Sequence, residues 1–239
     1  MKILVLNGNT SAQVTERMIS SLRPRCPESV QLVGATAPFG MPYVSTRAAV
    51  AVAGHAVQEA VRAAVEGEAT AGRGPFDACL YACFGEPGIE ALRETHAFPV
   101  AGMAEASILT ALQLGARFSI VTLGAAWPAM LRDLMRRAGF EARCAGFGVV
   151  PGDALAVATR REHGLRVVRE AVDEVIARQG PDVVIVGGAA LAGYGTALAA
   201  QAPVPVLDSL VVSFEQALAL ARLGPLRSGP IRPDRVPQD

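Results

Sequence analysis

Several features that mark whole classes of protein are absent from this sequence. The apolar run at residues 3–6 is far shorter than the core of a signal peptide, and no stretch approaches the roughly 20 apolar residues of a membrane span. Charge is balanced, with 22 Lys+Arg against 22 Asp+Glu, and no basic stripe with interleaved aromatics occurs. These absences predict a cytoplasmic protein whose partners include neither nucleic acid nor a membrane.

Cysteine, histidine and aromatic residues are also scarce. The chain has 4 Cys and 3 His, with no CxxC motif and no His at metal-ligand spacing, so we expect neither a disulfide nor a metal site. Aromatics make up 5% of the residues and hydrophobic residues 51%. An interior built mainly from Ala, Val and Leu is typical of an α/β protein whose sheets are covered on both faces.

The most informative stretch is FDACLYACFGEPG at residues 76–88. Its apolar run predicts a buried parallel strand over 78–82, and the glycines and proline that follow predict a tight turn into a helix from Ile89. Cys83 would then lie at the carboxyl end of a strand, the edge where open α/β sheets bind ligands. A nearby helix N-terminus favours the thiolate, which predicts a reactive, partly exposed Cys83 with a depressed pKa. The alternative is a buried core cysteine, as expected for Cys79.

The remaining patterns predict alternating strands and helices. Strands are predicted at 2–6, 31–34, 98–103, 118–123, 143–149 and 183–186, and helices at 14–22, 50–66, 89–95, 106–114, 128–138, 155–178 and 209–223. Thr10 and Gln13 fit a capping box for the first helix. The preceding turn, Asn7-Gly8-Asn9-Thr10-Ser11, would suit a carboxylate through its backbone N–H groups, although plain turn and cap chemistry needs the same residues.

The chain also resembles itself in three pairs of segments that occur in the same order. Residues 76–88 align with 181–193, which puts Asp77 over Asp182 and Cys83 over Gly188, 105 positions on. Residues from 99 align with those from 205, and residues from 2 with those from 118. This repeat predicts an α/β fold of two pseudo-symmetric lobes, each a mostly parallel sheet flanked by helices, with the active site in the cleft between them. The first lobe would comprise 1–104 and 209–223, the second 105–208, and 224–239 would form a loose tail.

A thiol at such a cleft suggests three chemistries. Hydrolytic acyl transfer needs a base, yet His55, His96 and His163 have no local signature of one. Redox chemistry needs a resolving cysteine, and Cys79 is predicted to lie inside the strand. In the third chemistry, Cys83 removes or delivers a proton beside a carbonyl, while backbone N–H groups hold the enolate charge.

Five segments together resemble a known family: 7–11 (NGNTS), 83–88 (CFGEPG), 105–106 before 117–122 (RFSIVT), 187–193 (GGAALAG) and 203–208 (PVPVLD). The chain is similar to the aspartate/glutamate/hydantoin racemase superfamily, especially its hydantoin and allantoin racemase branch. The resemblance implies cofactor-independent racemisation of a small carboxylate or cyclic amide by two cysteines, one on each face of the substrate carbon. Cys83 matches the first-lobe cysteine. The substrate-binding positions expected from this resemblance are Asn9, Thr10, Ser11, Tyr43, Phe84, Gly85, Thr122, Gly187 and Ala189.

The sequence departs from the family pattern at three positions. Gly188 stands where the second catalytic cysteine is expected, Gly8 where proline is common, and Glu86 where aspartate is common. In having one cysteine at these two positions, the chain resembles arylmalonate decarboxylase, a superfamily member that keeps the second-lobe cysteine instead. We therefore expect a racemase-like isomerase that uses one thiol, with two alternatives, a decarboxylase with one-sided protonation and a non-catalytic small-molecule binding protein. On the face of the substrate opposite Cys83, the proton donor would be water, Tyr194 or no group at all. Assembly into a homo-oligomer stays open.

Overall fold

A computed structural model describes residues 1–152, 157 and 160–224, and these form two four-stranded parallel sheets with helices around them. The strands are β1 (Lys2–Asn7), β2 (Gln31–Thr36), β3 (Ala78–Tyr81), β4 (Val100–Gly102), β5 (Phe118–Leu123), β6 (Cys144–Val150), β7 (Val183–Gly187) and β8 (Val206–Asp208). The helices are α1 (Ala12–Leu22), α2 (Arg47–Thr70), α3 (Ile89–Thr95), α4 (Met103–Leu114), α5 (Trp127–Ala138), α6 (Arg161–Gln179), α7 (Tyr194–Leu198) and α8 (Ser209–Arg222). Single 3-10 turns occur at Arg23–Arg25, Glu141–Arg143, Ala189–Leu191 and Ala199–Gln201.

The two sheets have the same strand order, which confirms the predicted pseudo-symmetric α/β fold. The orders are β2-β1-β3-β4 and β6-β5-β7-β8, and every neighbouring pair is parallel. Ile3 pairs with Ala78 in the first sheet, and Phe118 pairs with Val183 in the second. The offset of 105 residues between β3 and β7 is therefore correct. The offset between β1 and β5 is one residue smaller than the alignment from residues 2 and 118 suggested.

Two aspartates perform matching tasks at the starts of the paired strands. Asp77 Oδ2 accepts the N–H of Lys2 at 2.6 Å, and Asp182 Oδ2 accepts the N–H of Arg117 at 2.8 Å. The backbone N–H of each aspartate donates in turn to the carbonyl of the same partner, at 2.9 Å in both sheets. The aligned aspartates thus fix β1 against β3 and β5 against β7 in the same way.

One hydrophobic core extends across both sheets. It includes Ile3 and Leu80 from the first sheet, Ile120 and Ile185 from the second, and Phe214 of α8. β3, β5 and β7 are buried along their whole length, which explains their uninterrupted apolar runs. α8 follows the second sheet in the chain but contacts β3 and β4 of the first. The lobe boundaries given above stay a prediction.

Four expectations about helices and the C-terminal tail either differ from the structure or concern residues outside the described ranges. The N-cap of α1 is Ser11, whose side chain accepts the N–H of Val14, rather than Thr10. α2 continues to Thr70 through residues expected to be loop, because its alanine-rich sequence favours helix. Arg160 is not helical, so the helix expected over 155–178 is interrupted there, and its earlier part falls largely outside the described residues. The expected tail lies outside them too, from residue 225 onward.

None of the helices within residues 1–152 and 160–224 combines the length and the apolar character needed to cross a bilayer.

Candidate active site

A cavity of about 340 Å³ opens between the carboxyl ends of the two sheets, and we call it the cleft cavity. From the first half of the chain, its wall includes the predicted residues Asn9, Ser11, Tyr43, Cys83 and Phe84. From the second half, its wall includes the predicted residues Thr122, Gly187, Gly188 and Ala189. Thr10 and Gly85 were also predicted, but they do not form part of this wall. The Thr10 N–H donates to Met41 O at 3.1 Å, and Gly85 packs beside the Trp127 ring.

Cys83 lies on the wall but is more buried than expected, with 9% of its surface exposed. Burial raises the pKa of its thiol to about 11. The backbone N–H groups of Gly85 and Glu86 and the Tyr81 hydroxyl beside the thiol lower this pKa, and the Glu86 carboxylate raises it further. The prediction of a depressed pKa was therefore wrong, because desolvation outweighs the effect of these polar groups. Cys79, by contrast, is fully buried in the core as expected.

The surroundings of the Cys83 sulfur leave no room for another side chain on one flank. A Cβ added to Gly8 would lie 3.1 Å from Cys83 Sγ and 3.2 Å from the Tyr81 hydroxyl oxygen. The Tyr81 hydroxyl also donates to Pro87 O at 2.9 Å, which ties the strand to residues 83–88, hereafter the Cys83 turn. Gly8, Tyr81 and the Cys83 turn together hold the sulfur in one position.

We expect Tyr81→Phe to slow alkylation of Cys83 by iodoacetamide about threefold at neutral pH. Loss of the hydroxyl removes a polar group beside the sulfur that lowers the pKa of the thiol, and it leaves the thiolate less stable. It also leaves Pro87 O without its partner, at a cost of about 1 kcal/mol in the free energy of unfolding. Tyr194→Phe is the matched control, since its buried hydroxyl donates to Val157 O and does not contact Cys83. Faster alkylation in Tyr81→Phe would contradict this effect of the hydroxyl.

On the opposite lobe, Gly188 begins the turn that corresponds to the Cys83 turn. Its φ of 125° and ψ of 144° lie in a region that residues with a Cβ rarely adopt, yet a Cβ there would meet no atom within 4 Å. Its N–H donates to Ser209 Oγ at 3.3 Å. Tyr194, considered as a second acid, is buried with its hydroxyl donating to Val157 O at 2.5 Å. It is not part of the cavity wall.

Residues from the second half of the chain pack against the Cys83 turn. The Phe84 ring occupies the space where a Cβ of Gly187 would lie, and a Cβ on Gly85 would come within 2.6 Å of the Trp127 ring. The Tyr43 hydroxyl donates to Leu123 O at 2.8 Å, next to Thr122 on the wall. The contacts of Phe84 and Gly85 pack the Cys83 turn against the second half of the chain.

Three backbone N–H groups of the turn at residues 7–11, those of Asn9, Thr10 and Ser11, are bonded within the protein. The N–H of Asn9 donates to Asn7 Oδ1 at 3.1 Å, and that of Ser11 donates to Asn9 Oδ1 at 2.9 Å. Turn and cap chemistry is thus the correct interpretation of these groups. What remains for a ligand is the side chains of Asn9 and Ser11 that line the cavity.

The Gly188 turn differs in this respect. Ala189 and Ala190 line the cavity at the start of a 3-10 turn, and their N–H groups make no hydrogen bond to any described residue. The first N–H groups of a helical turn have no partner within it. They are therefore available to an oxygen that develops negative charge in the cavity.

Eleven residues of the cavity wall were not predicted from the sequence, and the four of them that carry a polar side-chain atom are Asn7, Gln13, Arg17 and Trp127. Asn7 Nδ2 donates to Asn9 Oδ1 and to Thr15 Oγ1, both at 3.0 Å, and so fixes the turn. Gln13 and Arg17 are one helical turn apart on α1, on the side away from its buried Met18 and Leu22. The apolar residues of α1 define its buried side, so the sequence could have identified Gln13 and Arg17 as residues of the other side.

Other groups that carry chemistry lie elsewhere. His55 contacts Phe39, His96 stacks on Phe98 and His163 contacts Arg166, so none of these histidines is at the cleft cavity. Among the described residues, no group of three or more His, Cys, Asp or Glu side chains is arranged to hold a metal ion.

Comparison with known proteins agrees with this architecture. The sequence profile of the Asp/Glu/Hydantoin racemase family matches residues 3–217. A hydantoin racemase from Paenarthrobacter aurescens is 30% identical over 227 residues, covering 94% of this chain and 92% of that protein. The crystal structure of an allantoin racemase from Pseudomonas fluorescens matches with a TM-score of 0.85 and 29% identity, covering 93% of this chain and 92% of that one. Arylmalonate decarboxylase, at 15% identity and a TM-score of 0.62 over 92% of each chain, shares the fold. The chain therefore belongs to the Asp/Glu/hydantoin racemase family of enzymes.

Proposed function

We propose that this protein catalyses proton exchange at the carbon beside a carbonyl of a small cyclic amide, a substrate of the hydantoin or allantoin class, with Cys83 as its acid and base and without a cofactor. The observation that carries this proposal is the position of Cys83 on the wall of the cleft cavity, with the backbone N–H groups of Gly85 and Glu86 close to its thiol. The substrate class follows from the names of the relatives, which are hydantoin and allantoin racemases.

The step that Cys83 performs is a proton transfer from carbon. The thiolate takes the α-proton to become a thiol, and the electron pair of the C–H bond moves into the carbonyl, whose oxygen becomes an enolate. The N–H groups of Ala189 and Ala190 are available to stabilise that oxygen. The thiol then exchanges its proton with solvent and delivers a solvent proton to the same carbon, which completes the exchange without consuming a cofactor.

The raised pKa of Cys83 fits a weakly acidic substrate carbon. A thiol with a pKa of about 11 is mostly neutral at rest, but its thiolate is a stronger base than an ordinary cysteine thiolate. The neutral form is equally ready to deliver a proton to a carbanion. The same environment therefore supports both directions of the transfer.

We further propose that the chemistry is one-sided. Racemisation requires a proton donor on each face of the carbon, and Gly188, at the position matching Cys83, has no side chain that could serve. Tyr194 is turned away from the cavity. The enzyme would then exchange the α-proton with retention, and inversion would be slow because it depends on water.

The test is deuterium incorporation from deuterium oxide into each enantiomer of a 5-substituted hydantoin, followed together with optical rotation. We expect exchange of one enantiomer without matching loss of rotation. Fast exchange and inversion of both enantiomers would contradict one-sidedness and require a second acid. No exchange with any hydantoin, allantoin, amino acid or malonate would contradict the proposed function.

A decarboxylase is the second candidate, because a single neutral thiol suffices to protonate the carbanion left by loss of carbon dioxide. The fold shared with arylmalonate decarboxylase is compatible with this reaction. Release of carbon dioxide from a disubstituted malonate, without exchange of a hydantoin, would favour it. A non-catalytic binding protein would show neither reaction, and its ligand affinity would be unchanged in Cys83→Ala.

A further inference from the structure

Glu86, three residues after Cys83, has an unusual conformation. It is the one non-glycine residue with positive φ among the described residues, at 50°, and its side chain is buried with 6% of the residue exposed. A residue with a Cβ in this region is uncommon, and a buried carboxylate is costly unless it is paired. Both features point to a specific role for this side chain.

The Glu86 carboxylate caps α4. Its Oε1 accepts the N–H of Glu105 at 2.9 Å, and the carboxylate also accepts the N–H of Ala104. A Cβ on Gly102, the residue before α4, would overlap the carboxylate, so a glycine is required there. The first turn of α4 thereby anchors the side chain that belongs to the Cys83 turn.

The backbone of the same residue contacts Cys83. The Glu86 N–H donates to Cys83 O at 3.0 Å and also approaches the Cys83 sulfur, as does the N–H of Gly85. Anchoring the Glu86 side chain therefore fixes the direction of the N–H groups that stabilise the thiolate. The Glu86 carboxylate has the same charge as that thiolate and opposes its formation.

We propose that Glu86 is a positioning residue for Cys83: its side chain fixes the Cys83 turn to the first turn of α4, and its ionisation controls how readily the thiolate forms. The proposal rests on the proposed role of Cys83. If Glu86 were only a helix cap, its side chain would fix the Cys83 turn, but its ionisation would not affect formation of the thiolate. The two can therefore be separated by measuring the ionisation of Cys83.

The charges around Glu86 come from several elements. Burial raises the pKa of the Glu86 carboxyl to about 7, while the N–H groups of Glu105 and Ala104 lower it. The titratable and charged groups that face it or share its small pocket are Tyr81 of β3, Cys83, Glu90 and Arg93 of α3, Glu105 of α4 and Arg137 of α5. Of these, Arg93 and Glu105 form an ion pair with each other.

The direct test is the pH dependence of Cys83 alkylation in Glu86→Gln. Glutamine keeps an oxygen to accept the Glu105 N–H but removes the charge. We expect alkylation by iodoacetamide to be about threefold faster at about pH 8, because a lower pKa gives more thiolate of somewhat lower nucleophilicity. Mass spectrometry of the Cys83 peptide separates this reaction from those of Cys26 and Cys144.

Glu90→Gln is the matched control, since it removes an exposed carboxylate near the same pocket, and we expect it to leave Cys83 unaffected. An unchanged or slower rate in a folded Glu86→Gln variant would overturn the proposal. Alkylation needs no substrate, so a shifted profile in a protein that exchanges no hydantoin would count against the proposed function alone.

The wild-type protein supplies a second test that does not depend on the variant folding. If Glu86 loses its proton near pH 7, the slope of the logarithm of the alkylation rate against pH should fall from 1 to about 0.7 near pH 7 and return to 1 above it, and Glu86→Gln should show a constant slope. Ionisation of Glu86 opposes that of the thiol over this interval, which causes the lower slope. A constant slope in the wild-type protein would overturn the proposal.

Discussion

Cys83→Ala is expected to lower the rate of α-proton exchange about a thousandfold, the size of effect typical of losing a general acid-base group. The alanine variant keeps the cavity but has nothing to accept the proton from carbon. Cys83→Ser should be similarly inactive, because a hydroxyl at this buried position ionises far less readily than a thiol. The measurement is deuterium incorporation by proton NMR, at the substrate enantiomer that the wild-type protein exchanges.

Cys144→Ala is the control for this experiment. Cys144 is a half-buried thiol on β6, outside the cavity wall, so its removal should leave exchange unchanged. Circular dichroism and substrate binding would establish that Cys83→Ala is folded and still binds its ligand. A full exchange rate in the alanine variant would exclude Cys83 from the mechanism.

Gly188→Cys is expected to convert one-sided exchange into racemisation, since it adds a thiol at the position that matches Cys83. Space is available, because a Cβ at Gly188 meets no atom within 4 Å. The backbone is unfavourable, because φ of 125° is a conformation that only glycine adopts readily. We therefore expect a loss of about 1–3 kcal/mol in the free energy of unfolding together with faster loss of optical rotation.

Gly188→Ala separates these two effects. It carries the same backbone penalty without a thiol, so it should be destabilised as much as Gly188→Cys and should not racemise. Equal racemisation in the alanine and cysteine variants would mean that the added thiol does not act on the substrate. Unchanged stability in both would mean that the turn relaxes to another conformation.

The architecture could be predicted because it is encoded by short-range patterns. Strands buried on both faces appear as uninterrupted apolar runs, as in β3 and β7, and the repeat between these runs places Cys83 opposite Gly188. Asp77 and Asp182 aligned correctly because each accepts a backbone N–H at the start of the neighbouring strand. These relationships need no knowledge of distant contacts.

The chemistry of the site was less predictable, because it depends on contacts between residues far apart in the chain. Burial raises the pKa of Cys83, and burial depends on packing between distant segments, such as that of Phe84 against Gly187. The Thr10 N–H is occupied by Met41 O, a contact that no turn motif indicates. The cap at Glu86 likewise depends on an N–H group 19 residues away.

The contact between Phe84 and Gly187 also has a mechanical consequence. Rotation of one sheet away from the other, which would admit a substrate, must move the Phe84 ring out of the space beside Gly187. Phe84 is bonded to Cys83, so the same rotation either breaks this contact or displaces the backbone of Cys83. Withdrawing a buried phenylalanine costs about 1.5–3 kcal/mol. If Cys83 acts as proposed, we therefore expect opening of the cleft to displace the sulfur, and proton transfer to occur only while Phe84 stays beside Gly187.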